Sequence, residues 1–259
     1  MNPIVNIAIS AVRKAGNFVI KYYDSYFFLE KNIKNFLFFE EVIKKTESII
    51  IKEIFKYYPN HIYFTNKNND HNFSKEKMFW FINSLNGYKN FSSKFPHFCI
   101  LISYFIKKNI FMSVIYDPLR NELFTAVKGE GAKLNGYRMR CNNNLTDNGI
   151  TIAINVPTKN ESAKQKYIKI IKKLFNKNIN IRITGSSVLD FVYVASGRLD
   201  CLIIEKENVL NFLSGELHVK ESGGLTDVIF SKRNNFEKFN ISIIGNNIFI
   251  KKIVSLINS

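Results

Sequence analysis

The sequence contains few cysteines and no long apolar run. Its three cysteines, Cys99, Cys141 and Cys201, are widely spaced and form no C-x-x-C pair. A disulfide framework or a zinc site is therefore not expected, and a reducing, cytoplasmic environment fits best. No stretch of about 18 apolar residues is present to span a membrane. The N-terminal segment has the pattern of an amphipathic helix and lacks the basic lead of a signal peptide.

Acidic residues are also scarce. The 259 residues include 21 aspartates and glutamates against 37 lysines and arginines, a formal net charge of +16. Such a charge is typical of nucleic-acid-binding proteins. Codon bias in an AT-rich genome would also enrich lysine, asparagine, isoleucine and phenylalanine without selection for RNA binding, and we favour this second interpretation. Under either one, the charge raises the affinity for any polyanion.

The hydrophobic periodicity predicts a mixed α/β fold with a sizeable core. The first half shows helical periodicity and then short strands, at 2–23, 41–57, 61–65, 79–83, 97–105, 110–117 and 122–127. After residue 150, strands and helices alternate to the end of the chain. We predict one domain over 1–259, with an α+β half at about 1–148 and an α/β half at about 149–259. Two polar segments, 66–77 and 231–239, are predicted to be exposed loops.

One motif stands out in the first half. Residues 80–91 read W-F-I-N-S-L-N-G-Y-K-N-F. They resemble the metal-binding loop of the inositol monophosphatase family, W-x-I-D-P-[IL]-D-G-T-T-N-F. The frame of that loop is kept at Trp80, Ile82, Leu85, Gly87, Asn90 and Phe91. Its two aspartates are replaced by Asn83 and Asn86.

Six further segments resemble the same family in the same order. They lie at 6–17, 95–98, 114–126, 129–138, 185–200 and 214–224. Because these segments are collinear and span almost the whole chain, the resemblance is far more specific than one motif. It implies a layered α-β-α-β-α sandwich. It also implies a phosphatase chemistry in which carboxylates hold two or three Mg²⁺ ions that activate water.

The positions that the resemblance assigns to metal ligands carry no carboxylate. They fall on Asn66, Asn83, the Leu85 carbonyl, Asn86 and Asn211. Mg²⁺ is a hard cation that binds through carboxylates and water, and an amide keeps the shape of a carboxylate without its charge. We therefore expect no functional catalytic residue, no bound metal and no other cofactor.

The surroundings of those positions have changed as well. Lys67 follows Asn66, Tyr88 replaces a water-orienting threonine, and the family's acidic partner falls near Ile43. Two positions that the resemblance assigns to substrate contact are kept, Gly87 and Glu205.

Other catalytic patterns are absent from the sequence. His61, His71, His97 and His218 have no metal-binding spacing, and we expect surface or structural roles. The serines that follow Gly185 lack the G-x-S-x-G elbow and are interpreted as a helix cap. Neither a P-loop nor a dinucleotide fingerprint is present.

The hairpin segment 117–126 is most similar to a bacterial branch of the family that also serves as a Nus factor. That resemblance implies a role in transcription antitermination on ribosomal RNA operons, with NusA and RNA polymerase as partners and the nascent rRNA as a contact. We predict a non-catalytic, homodimeric, cytoplasmic scaffold of this kind, which aids rRNA folding and ribosome biogenesis. Arg182-Ile183 departs from the branch's Arg-Arg pair.

Two alternatives stay open from the sequence. One is a residual Mg²⁺-dependent phosphatase acting on inositol 1-phosphate or nucleotide monophosphates. The other is a gene decaying under drift, whose product would not unfold as a two-state protein.

Overall fold

The computed structural model describes residues 2–25, 36–66, 76–144, 149–156, 161–175, 177–205, 208–233 and 238–258. Within these ranges the chain forms seven helices and twelve strands in two sheets, which confirms the mixed α/β class. No helix in them is long and apolar enough to cross a membrane. The chain divides into two compact units, residues 1–137 and 138–259.

The first unit contains a seven-stranded sheet with its first two helices packed against one face. Its elements are α1 (Pro3–Ser25), α2 (Phe36–Phe55), β1 (Ile62–Thr65), β2 (Met78–Asn86), α3 (Tyr88–Ser92), β3 (Cys99–Ile106), β4 (Asn109–Asp117), β5 (Glu122–Val127), β6 (Gly131–Leu134) and β7 (Tyr137–Arg138). The seven strands follow one another in chain order across the sheet. Strands β1 and β2 are parallel, and β2 to β6 pair antiparallel.

Helix α1 forms because its sequence combines a start signal with an apolar stripe. The side chain of Asn2 accepts a hydrogen bond from the Ile4 backbone (3.1 Å), and Pro3 occupies the first helical position. The stripe of small residues, with Ala8, Ala11 and Ala15 fully buried, lets the helix approach the sheet closely.

The β4–β5 hairpin is organised by a buried carboxylate. Asp117 is fully buried and accepts hydrogen bonds from the backbone of Leu119 (3.0 Å) and Arg120 (3.1 Å). The Arg120 guanidinium donates a further bond of 2.7 Å to the same carboxylate. Since Asp117 pairs with Glu122 across the hairpin, the predicted turn is confirmed.

The second unit contains a five-stranded sheet with helices on both faces. Its elements are β8 (Ile150–Asn155), α4 (Glu161–Phe175), β9 (Ile179–Arg182), α5 (Ser187–Ala195), β10 (Cys201–Glu205), α6 (Val209–Glu221), β11 (Leu225–Arg233), β12 (Lys238–Gly245) and α7 (Asn247–Asn258). The strand order is β11-β12-β10-β8-β9. Strands β10, β8 and β9 are parallel, and β12 runs antiparallel to both of its neighbours.

The two faces of this sheet are covered by different helix pairs. Helices α4 and α7 share one apolar core with alternate residues of β8, β10 and β12. Helices α5 and α6 contact β10 and β12 and pack closely on each other. A Cβ atom on Gly215 would lie 2.3 Å from the ring of Phe191, so glycine is required at this α5–α6 contact.

One loop prediction is wrong. Residues 231–233 continue β11 and residues 238–239 open β12, so most of the segment 231–239 is strand. The segment was predicted to be a loop because it is polar. The backbone groups of β11 and β12 hydrogen-bond to each other, so the two strands can pair there without an apolar face. The other predicted loop, 66–77, lies largely outside the described residues, as do 234–237.

Candidate functional site

The positions that correspond to the metal loop sit at the C-terminal end of β2. Asn83 lies within that strand and is 2% exposed. The pairing of β2 with β3 is irregular between Asn83 and Asn86, and Asn86 pairs with Cys99 beyond the irregularity. Bulges of this kind redirect side chains and are frequent next to functional sites. The regular strand pairing is thus interrupted between the two positions that the resemblance assigns to aspartate ligands.

Asn66 is brought next to this loop by the parallel pairing of β1 with β2. Thr65 is the register partner of Ile82, and the Asn66 backbone donates a 3.2 Å hydrogen bond to the Ile82 carbonyl. Asn66, directly after β1, thus stands beside Asn83 of the neighbouring strand β2. Lys67 and Asn68, which follow, lie outside the described residues.

Gly87 and Asn90 hold the loop in shape. Gly87 has φ +84°, and a Cβ atom there would lie 2.8 Å from the His97 carbonyl oxygen. The Asn90 amide donates a 2.8 Å hydrogen bond to that same oxygen. Both contacts depend on the shape of the residue and not on charge, so neither requires an aspartate in the loop.

Trp80 and Phe91 anchor the two ends of the loop in the core. Trp80 is fully buried, and its indole Nε1 donates a 3.1 Å hydrogen bond to Nδ1 of His61. Phe91 packs against Tyr23 and Phe98 with ring centroids 5.5 and 5.1 Å away. These residues therefore maintain the fold around the loop.

The remaining positions of the first unit offer no carboxylate. Tyr88, at the threonine position, is half exposed. Ile43 of α2, near the expected acid, is partly buried and packs against the apolar core of the first unit. His97 is buried, and that burial together with the nearby Arg120 lowers its pKa to about 4. Its imidazole is thus neutral at physiological pH.

The second unit carries the other two predicted positions. Asn211 lies in the first turn of α6, where its backbone donates a 2.9 Å hydrogen bond to the side chain of the N-cap residue Asn208. Glu205 ends β10 and is 9% exposed. The retained acid is thus a buried strand-end residue. Its neighbour Lys206 lies outside the described residues.

The comparisons with known proteins agree on one family. The model of the inositol monophosphatase family matches residues 1–255. The chain belongs to the inositol monophosphatase family. A protein named Nus factor SuhB from Buchnera aphidicola subsp. Schizaphis graminum is 48% identical over 227 residues, which cover 87% of this chain and 84% of that protein. The protein of the same name from Escherichia coli K12 is 38% identical over 256 residues, 98% of this chain and 96% of the relative.

Solved structures of the family share the fold. The extragenic suppressor protein suhB from Bartonella henselae superposes with a TM-score of 0.82 at 25% identity, over 99% of this chain and 98% of that one. An inositol monophosphatase from Anabaena superposes with a TM-score of 0.78 at 20% identity, covering 98% and 94%. The predicted inositol monophosphatase-type fold is confirmed by these similarities.

The residues present do not fit the magnesium of the inositol monophosphatase family. Asn66, Asn83 and Asn86 supply neutral amides where the family resemblance calls for carboxylates. Among the described residues, no group of three or more histidines, cysteines, aspartates or glutamates is placed to hold a metal ion. Neutral oxygens leave the repulsion between closely spaced divalent ions almost uncompensated. No catalytic step through Mg²⁺ follows from this set of side chains.

The sequence did not reveal two contacts that matter for the loop. The Trp80–His61 hydrogen bond joins residues 19 positions apart, and no local pattern marks it. The Asn90–His97 hydrogen bond could have been predicted. Asn90 is kept while the nearby acids of the family are replaced, which indicates that it supports the shape of the loop. Both contacts lie within the first unit.

Proposed function

We propose that this chain is a SuhB-type Nus factor that works as a non-catalytic scaffold in transcription of ribosomal RNA. The observation that carries the proposal is the division of roles within the loop. In the loop, the kept residues Trp80, Gly87, Asn90 and Phe91 pack in the core or shape the backbone. The two acids that the resemblance assigns to the loop are replaced by Asn83 and Asn86. A protein used for its surface has reason to keep the first set and none to keep the second.

The similarity to relatives named Nus factor SuhB, at 38–48% identity over most of the chain, supports this choice within the family. For this chain we propose NusA and RNA polymerase as partners, with the nascent rRNA as a further contact. A homodimer in the cytoplasm, built from one domain that includes both units, completes the proposal. Such a role needs a folded surface and no bound metal.

The test is a calorimetric titration of the full chain with NusA from the same organism. We expect saturable binding with a defined stoichiometry that persists when the salt concentration is raised. Persistence matters because nonspecific attraction by a +16 chain would be screened. Binding that vanishes with salt would contradict the proposal.

A phosphatase assay with inositol 1-phosphate addresses the enzymatic alternative directly. We expect no turnover above buffer with Mg²⁺ present. Turnover that Mg²⁺ supports and EDTA abolishes would overturn the non-catalytic part of the proposal. A nucleotide monophosphate serves as the second substrate, and one active family phosphatase serves as the positive control.

A further inference from the structure

Helix α4 carries an unusual concentration of positive charge. It contains five lysines and a single acid, Glu161, which gives a formal net charge of +4 over 15 residues. Glu161 is already engaged by Lys164, whose Nζ lies 3.1 Å from its carboxylate. Lys177 adds a further exposed cation just beyond the helix. The charge on this helix is thus almost entirely uncompensated.

The packing of α4 directs that charge to solvent. Its apolar stripe, Ala163, Tyr167, Ile170 and Leu174, is buried against the sheet. The opposite face of the helix is exposed and carries Lys169 and Lys172. Because side chains three apart lie on one face of a helix, these two lysines stand together on the outer surface of the second unit.

Helix α7 extends the basic surface. It covers the same face of the sheet, contains no acid, and exposes Lys251 and Lys252. Lys173 of α4 donates a 2.6 Å hydrogen bond to the carbonyl of Ile257, which brings the C-terminal ends of the two helices together. We define the α4–α7 surface as Ile168, Lys169, Lys172, Phe175, Lys251 and Lys252.

A comparison within the chain argues against codon bias as the whole cause. Helix α2 is also rich in charged residues, yet it holds four glutamates and three lysines, a net charge of −1. Two of those lysines pair with glutamates one turn away, Lys44 with Glu40 and Lys45 with Glu41. Codon bias acts on both helices alike, so it does not explain why α2 balances its lysines with glutamates while α4 holds five lysines and a single acid.

The apolar residues on this surface point to the kind of polyanion. Phe175 is 75% exposed and Ile168 is 44% exposed, both among the lysines of α4. An exposed aromatic ring beside cations is the arrangement on which single-stranded bases stack while the backbone phosphates meet the charges. The acidic side chains of a peptide would use the lysines but would leave Phe175 without an aromatic stacking partner.

We propose that the α4–α7 surface binds single-stranded RNA, with lysines on the phosphates and Phe175 stacked on a base. This inference rests on the proposed function only for the choice of RNA over DNA. It assigns the RNA contact to a defined face of the second unit. Part of the excess positive charge of the chain is thus assigned to one specific binding site.

The test measures the affinity of the full chain for a labelled single-stranded RNA of about 12 nucleotides by fluorescence anisotropy over a range of salt concentrations. For K169Q/K172Q we expect the slope of log affinity against log salt to decrease by about 1.4, because two phosphate contacts are lost. The matched control is K107Q/K108Q. It removes the same charge from the exposed β3–β4 turn of the first unit and should leave the slope unchanged.

Substitutions of Phe175 distinguish RNA from an acidic protein as the ligand of this surface. We expect F175A to weaken RNA binding about tenfold and F175Y to retain it. A polyglutamate peptide of equal charge should compete weakly. Equal loss from both lysine pairs, or F175A binding like the parent chain, would overturn the proposal. A peptide that competes as well as RNA would overturn it in favour of an acidic partner.

These outcomes are separable from failure of the proposed function. NusA binding is measured without RNA, and K169Q/K172Q should retain it. If the chain binds NusA and the two lysine pairs contribute equally to RNA binding, the Nus-factor proposal stands and the proposed RNA surface is wrong. Circular dichroism melting of each variant should match the parent chain, since the substituted side chains are exposed.

Discussion

The backbone of Gly87 approaches the carbonyl oxygen of His97 so closely that a Cβ atom on Gly87 would lie 2.8 Å from it. The same oxygen accepts the 2.8 Å hydrogen bond from the Asn90 amide. One carbonyl oxygen thus contacts the loop at both Gly87 and Asn90. The loop is shaped by these contacts, and none of them involves a carboxylate or a metal.

This relationship predicts a large effect of Gly87→Ala. The new methyl group would meet the His97 carbonyl, and alanine disfavours a φ of +84°. We expect the free energy of unfolding to decrease by about 3 kcal/mol, measured by urea denaturation. The matched control is Gly129→Ala, at φ +81° with nothing within 4 Å. It should cost only about 1 kcal/mol; equal losses would refute the close-approach argument.

Glu53 predicts a specific loss of stability in acid. It is buried on α2, and hydrogen bonds from Lys14, Ser10 and Lys56 lower its pKa from 4.5 to about 2. A carboxyl group whose pKa is lowered by folding stabilises the protein above its unfolded pKa, so this stability is lost as pH falls from about 4.5 to 2. Because both lysines are more than half exposed, we expect about 1–2 kcal/mol.

Glu53→Gln should therefore reduce the free energy of unfolding at pH 7 and flatten its dependence on pH below 4.5. The matched control is Glu41→Gln on the same helix. Glu41 pairs with Lys45 at 2.9 Å, but both side chains are more than half exposed. Its loss should change stability by less than about 0.5 kcal/mol. A parallel acid profile for parent and Glu53→Gln would contradict the assignment.

His218 predicts a stabilising substitution. It is fully buried in α6, neither ring nitrogen has a hydrogen-bond partner among the described residues, and burial lowers its pKa to about 3. We expect His218→Leu to stabilise the protein by about 1 kcal/mol at pH 7, because an unsatisfied polar group is removed. The gain should grow as pH falls below 6.5, where only the unfolded chain binds the proton.

His61 provides the contrast in the same unfolding assay. It accepts the 3.1 Å hydrogen bond from the Trp80 indole. His61→Leu should therefore destabilise the protein by about 1–2 kcal/mol, since the buried indole donor would lose its partner. Two histidines substituted by the same residue are thus expected to shift stability in opposite directions. Destabilisation by both would contradict the description of His218.

Much of the fold could be predicted from local pattern. The strand and helix alternation after residue 150 is confirmed because each apolar run has one period and ends at a turn signal. The β4–β5 hairpin agrees with the neighbouring strands predicted at 110–117 and 122–127. Helix α2 begins at Phe36 and not at the predicted residue 41. The prediction missed its first residues because most of them are aromatic and none gives a start signal.

The site was predicted in part. The family pattern located Asn83 and Asn86 along the chain, but the irregular pairing between them is set by the partner strand β3 and cannot be read from one segment. The links from Glu53 to Ser10 and Lys14 join different helices and depend on tertiary packing. The assignment of ligand positions and the expected absence of catalysis stay predictions.

The central claim is that the loop keeps its shape but has lost the charge needed to bind Mg²⁺. A calorimetric titration with Mg²⁺ tests this claim most directly, because it measures the effect of charge on an unchanged frame. The variant N66E/N83D/N86D restores three carboxylates on the kept frame, and the parent chain serves as its control. We predict no specific Mg²⁺ binding by the parent and saturable binding by the variant, since the three carboxylates return negative charge to a loop whose frame is kept. Saturable binding of Mg²⁺ by the parent chain would contradict the account.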